Sequence, residues 1–146
     1  MKRRLVVAVL LLVASALVFG YDDVPVSELA AQAAAAPLDR QPELYLKIAE
    51  RRMKEADRLY SNSKVDEAVE AVHDVVAYSE KATDTATRSG KRLKNTEISI
   101  RKMTSRLRDI QRTLSFDDQA PVKTATDRLE ELRTQLLGRM FSKEKK

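Results

Sequence analysis

The chain has 146 residues, with 27 Lys and Arg against 22 Asp and Glu, one His, no Cys, three Gly and four Pro. The lack of cysteine excludes disulfides and a lipid-bearing thiol, and so few Gly and Pro argue against a turn-rich β architecture. With no thiol and a single imidazole, the composition predicts neither an enzyme nor a cofactor.

Lys2, Arg3 and Arg4 precede an apolar run from Leu5 to Phe19 that ends at Gly20. A basic start, an apolar centre and small residues near its end are the pattern of an export signal, and the run is shorter than the ~20 residues of a bilayer span. Residues 1–20 are therefore expected to be a signal peptide, cut after Gly20 with Val18 and Gly20 as the small residues, or else after Ala16. The competing expectation is an uncut inner-membrane anchor over residues 5–19. The leader holds three of the 27 bases and no acid, so the remainder carries 24 bases and 22 acids, a net +2. That weak balance, in an exported chain, excludes a nucleic-acid partner.

Residues 21–41 read as a flexible Ala/Pro tether, opened by Asp22, Asp23 and Pro25 and closed by Pro37 and Pro42. Ala30 to Ala36 can form a turn or two of helix, but alanines bury little surface. A helical domain is expected from 42 to 141, followed by a disordered basic tail over 142–146. Pro42 suits a first turn, and Leu46, Ala49, Met53, Ala56 and Tyr60 recur at steps of three and four, which predicts a helix from Pro42 to about Tyr60. Ser61, Asn62 and Ser63 form a polar turn, with Ser63 placed to cap the next helix and Glu67 placed to suit its dipole.

From Val65 the same rhythm runs through Ala68, Val72, Val75, Ser79, Ala82, Ala86 and Ser89, then on through Leu93, Thr96, Ile100, Met103, Leu107, Ile110 and Leu114. One continuous helix over that span would be about 75 Å long. Its middle is weak, because Thr83, Thr85, Thr87 and Gly90 all lower helix propensity. A break near Ser89 and Gly90 is the alternative, and it would give a four-helix bundle. Ser115 to Asp118 interrupt the pattern, with Phe116 available to plug the corner. A last helix, with Pro121 in its first turn and Val122, Ala125, Leu129, Leu132, Leu136 and Met140 along one side, is expected to reach Phe141. The expected fold is thus all-α: a long central helix with a shorter antiparallel helix on each half, three-helix-bundle-like and of coiled-coil spacing.

Three chemical motifs fail on context. Glu70 and His73 form a Glu-x-x-His pair, but a carboxylate-bridged metal bundle needs a second pair and two further Glu. Ser61 and Lys64 match Ser-x-x-Lys without the companion elements of penicillin-interacting enzymes. Ser89-Gly90-Lys91 lacks the upstream glycine and the following Ser or Thr of a phosphate loop. No catalytic, cofactor or metal residue is assigned.

Charge is more informative. Between Glu55 and Asp84 there are eight acids and three bases, whereas between Arg88 and Arg112 nine bases face only Glu97 and Asp109. Those nine, Arg88, Lys91, Arg92, Lys94, Arg101, Lys102, Arg106, Arg108 and Arg112, are the candidate contacts for a partner or an anionic surface.

The stretch from Ala49 to Ala82, with Leu59-Tyr60, the turn Ser61 to Lys64, Asp66-Glu67-Ala68 and Val72 to Ala77, resembles one helix-turn-helix unit of the tetratricopeptide type. It occurs once, whereas a solenoid stacks about three, and the usual turn glycine and terminal proline are missing. The blocks Pro42 to Glu50 and Leu114 to Asp118 are similar to small exported bacterial helical proteins of unassigned function. That resemblance implies a helical fold and no site. The functional expectation is a non-catalytic exported interaction or scaffolding protein of the bacterial cell envelope, periplasmic or secreted, that binds another envelope protein or itself as an antiparallel homodimer. The alternative is a peripheral binder of anionic lipid or cell-wall polymer through the basic segment.

Overall fold

A computed structural model describes residues 23–144. The expected leader, both cleavage points, the first two tether residues and the last two lysines lie outside the described residues. Within them the chain is all-helical, with no strand: α1 Val26–Ala35, α2 Gln41–Ser61, α3 Val65–Ser89, α4 Leu93–Thr113, a 3-10 turn Phe116–Asp118, and α5 Gln119–Glu144. None of these helices is long and apolar enough to cross a membrane.

The stretch read as a tether contains α1, ten residues long. Leu29 and Ala33, one turn apart, are buried, which corrects the expectation that these residues bury little. Polar ties hold both ends: Arg51 of α2 donates to the Val24 carbonyl at 2.6 Å, and the Gln41 side chain donates to the Ala36 carbonyl at 2.9 Å. Proline ordering at either end and one leucine anchor suffice to seat a short alanine helix that could not persist alone.

In α2, Leu46, Ala49, Met53 and Ala56 face inward as their spacing requires, joined by Tyr45, Ile48 and Leu59. Tyr60 is only partly buried. The turn after α2 is built differently from expectation. Ser63 has φ 58° and does not cap α3 with its side chain, and Lys64 occupies the cap position. The Lys64 N–H donates back to the Leu59 carbonyl at 2.9 Å, closing the end of α2 with a left-handed residue. Asp66 and Glu67 lie in the first turn of α3, where the dipole favours acids.

The single long helix is not formed. α3 ends at Ser89, Gly90 is left-handed at φ 66°, and Arg92 is left-handed at φ 61°. Two such residues within three reverse the chain, and the Gly90 N–H closes α3 on the Ala86 carbonyl at 2.8 Å. The fifteen-position rhythm survives the break because both helices bury the same stripe: Val72, Val75, Ser79, Ala82, Ala86, Thr96 and Ile100 are all fully buried. Reversal brings these positions against other helices and removes more surface from water than a rod could.

Consequently α2 packs along α3, α4 along α5, α3 along α5 and α2 along α4. Arg52 meets Asp74 between α2 and α3, Arg106 meets Asp57 between α4 and α2, and Arg128 meets Glu80 between α5 and α3. The expected arrangement, a shorter antiparallel helix on each half of one long helix, is therefore not formed. In α5 the expected stripe of Val122, Ala125, Leu129, Leu132 and Leu136 is buried, and the helix runs on to Glu144. Phe116 does not plug the corner; it is 88% exposed. The corner is closed by polar bonds instead, Ser115 donating to Asp118 and Gln119 to the Leu114 carbonyl.

Candidate functional site

A furrow of about 800 Å³ runs between α3 and the first half of α5. Its floor is Val76 and Ala77 from α3 with Ala120, Pro121 and Ala125 from α5; its edges carry His73, Glu80, Asp127, Arg128 and Glu131. The local reason for the concavity is side-chain size. On the outer edge of the α3–α5 contact the two helices present alanine, proline and threonine where larger residues would fill the space. Pro121 is tolerated because it lies in the first turn of α5, where its missing N–H has no intrahelical acceptor to lose.

The edge charges are organised. Arg128 Nε donates to Glu80 Oε1 at 2.7 Å and its Nη1 donates to Glu131 Oε2 at 2.7 Å, bridging the two helices. The hydrogen bond that Arg128 donates to Glu80, followed by the one to Glu131, raises its pKa above the ordinary value and keeps the guanidinium charged. Lys123 pairs with Asp127 at 2.7 Å. The lining carries three carboxylates and one guanidinium, and Lys123 beside it pairs with Asp127, so the furrow edge is acidic by one charge. Upstream on α3, exposed Asp66 and Glu70 lie on the same helical stripe as His73 and Ala77, and neither forms an ion pair among the described residues.

The nine predicted cations do not form one free patch. Six of them are paired within the molecule: Arg88 with Asp84, Arg92 with Glu43, Arg101 with Glu97, Arg106 with Asp57, Arg108 with Glu130 and Arg112 with Asp109. Lys91, Lys94 and Lys102 are exposed and make no ion pair among the described residues. For Arg106 the hydrogen bond it donates to Asp57 is the main cause of a raised pKa. A second consequence of the fold is the buried carboxylate of Glu97, which accepts from Arg133 Nη2 at 3.0 Å and Nε at 3.1 Å, tying α4 to α5.

The rejected chemical motifs sit in ordinary surroundings. His73 is exposed and edges the furrow, and no three metal-ligating side chains converge among the described residues. Ser61 Oγ donates to the Asp57 carbonyl at 2.9 Å as part of the α2 terminus, while Lys64 is exposed. Ser89 Oγ accepts from the Lys91 N–H at 3.2 Å in the reversal. Sequence reasoning missed the furrow because its floor, Ala125 apart, falls outside the buried stripes. Ala77, Ala120 and Thr124 are exposed, and only their juxtaposition makes them a surface.

Compared with known families, curated proteins and solved structures, the chain matches none of them.

Proposed function

We propose that this chain is a non-catalytic interaction or scaffolding module of the bacterial cell envelope, exported by its N-terminal leader and working as a four-helix bundle with α1 strapped across one side. The observation that carries the reading is the apolar furrow between α3 and α5. Hydrogen-bonded charges edge it, and its floor is preformed and open to a partner. The leader pattern of Lys2 to Gly20 supports export. Site-specific crosslinking from Thr124 in intact cells is the test, read together with the size of the mature chain. The expected outcome is a shortened chain in the envelope fraction with a discrete crosslinked product. A full-length chain in the cytoplasmic fraction with no product ends the proposal.

A second reading, a peripheral binder of anionic lipid or cell-wall polymer, is favoured by one observation. Lys91 and Lys94 stand at the α3–α4 reversal and in the first turn of α4, and Lys102 in the middle of α4, all exposed and without an ion pair among the described residues. Sedimentation with vesicles containing anionic lipid separates it: binding that disappears on Lys91→Glu, Lys94→Glu and Lys102→Glu supports this alternative, and absence of binding at low salt removes it.

A further inference from the structure

Building on the interaction reading, we propose that the α3–α5 furrow receives a cationic amphipathic helix from a different protein, seated with its apolar side on Ala77, Ala120 and Pro121 and its basic residues against Glu70, Asp127 and Glu131. Length, polarity and charge lead to this occupant. The α5 lining runs from Ala120 to Glu131, which at 1.5 Å per residue is about 16 Å, or three turns of helix. A furrow between two parallel rods accepts a third rod in the same way that helices pack elsewhere, with side-chain ridges entering the gap. The floor is apolar and calls for apolar side chains. The edge keeps a net acidic charge, and Asp66 and Glu70, further along the α3 stripe that carries His73 and Ala77, form no ion pair among the described residues. Bases on the incoming helix supply the counter-charge, and like-charged partners are repelled.

A second copy of this chain is the obvious competitor because its α4 is rich in bases. It does not meet the apolar requirement. The exposed residues of α4, including Lys94, Arg101, Lys102, Ser105, Arg108 and Arg112, are all polar, and the single half-buried Ile98 makes no stripe, so α4 would lay charged side chains on an apolar floor. The large exposed apolar residues described, Phe116 and Phe141, lie outside α4 and cannot supply a stripe along it.

The test uses the mature chain and two synthetic 18-residue helices with the same leucine stripe, one completed with lysines and the other with glutamates, followed by fluorescence anisotropy. The expected result is binding of the lysine helix alone, weakened about tenfold or more by raising salt and by Ala77→Arg with Thr124→Arg, which fills the furrow with like charge. Both substituted positions are exposed, and circular dichroism checks that the variant remains helical. Glu70→Lys with Asp127→Lys removes acid without filling space, and it too is expected to weaken binding about tenfold. Equal binding of both helices, or binding of the lysine helix unchanged by either variant, overturns the proposal. A wild-type dimer in light scattering that Ala77→Arg with Thr124→Arg abolishes also overturns it, by assigning the furrow to a second copy. Should Glu70→Lys with Asp127→Lys, which leaves the Thr124 crosslinking position intact, lose helix binding yet retain every crosslinked product in cells, the module reading stands and the furrow assignment falls.

Discussion

Ser79 and Thr83, one turn apart on α3, are buried, and their hydroxyls find no hydrogen-bond partner, unlike those of Thr85, Thr96, Thr104 and Thr126, which donate to carbonyls in the preceding turn. A buried hydroxyl without a partner keeps its desolvation penalty. Ser79→Ala is accordingly expected to stabilise the protein by about 1 kcal/mol, measured by urea unfolding, because alanine also favours helix. Tyrosines give a pH signature at the same scale. Burial first, then the charge of Asp118, raises the Tyr60 pKa; burial, then Asp74, raises that of Tyr78. A phenol whose folded pKa lies above its unfolded value near 10 supports the fold fully below that pH, and the support is lost as pH climbs through the folded value. Thermal melts should therefore fall above about pH 10, and less steeply in Tyr60→Phe with Tyr78→Phe.

The reversal between α3 and α4 is the element that sets the architecture. Helix propensity through Thr83 to Gly90 is poor, but poor propensity alone does not stop a helix. What ends it here is a left-handed Gly90 two residues before a left-handed Arg92. Gly90→Ala is expected to cost about 1 kcal/mol in chemical denaturation without joining α3 to α4, since a left-handed alanine is strained and Arg92 still turns the chain. A variant whose mass and scattering profile become those of an extended rod would contradict that account. At the N-terminal side, α1 shows how little is needed to seat a short helix: one leucine, one alanine and two polar ties.

Across the whole molecule, apolar layers and ion pairs share the contacts between hairpins unequally. Leu129, Leu132 and Leu136 of α5 and Val72 and Val75 of α3 are buried to 2% exposure or less, whereas the ties Arg106–Asp57 and Arg128–Glu80 lie at the solvent edge. Exposed pairs are screened and held at an entropic cost, so they orient more than they stabilise. Leu129→Ala should cost about 3 kcal/mol by creating a cavity, while Asp57→Asn and Glu80→Gln should leave the urea midpoint nearly unchanged. If the two neutralised variants lost as much stability as Leu129→Ala, the hairpins would be held by charge.

Apolar side chains at alternating steps of three and four determined by themselves that the chain is helical and which face of α2 and α5 is buried, and Pro121 marked the first turn of α5. They also made a break at Gly90 one of two outcomes, because a stripe continues through a reversal as readily as through a rod. Tertiary structure chose the reversal, since folding back buries Ser79, Ala82 and Ala86, which have too little surface to hold a solitary helix. It likewise drew six of nine cations into internal pairs and placed two sets of small residues side by side as a furrow. Periodicity reports which side of one helix leaves water; which helices then become neighbours depends on contacts between residues roughly fifty positions apart, such as Arg106 with Asp57 and Arg128 with Glu80.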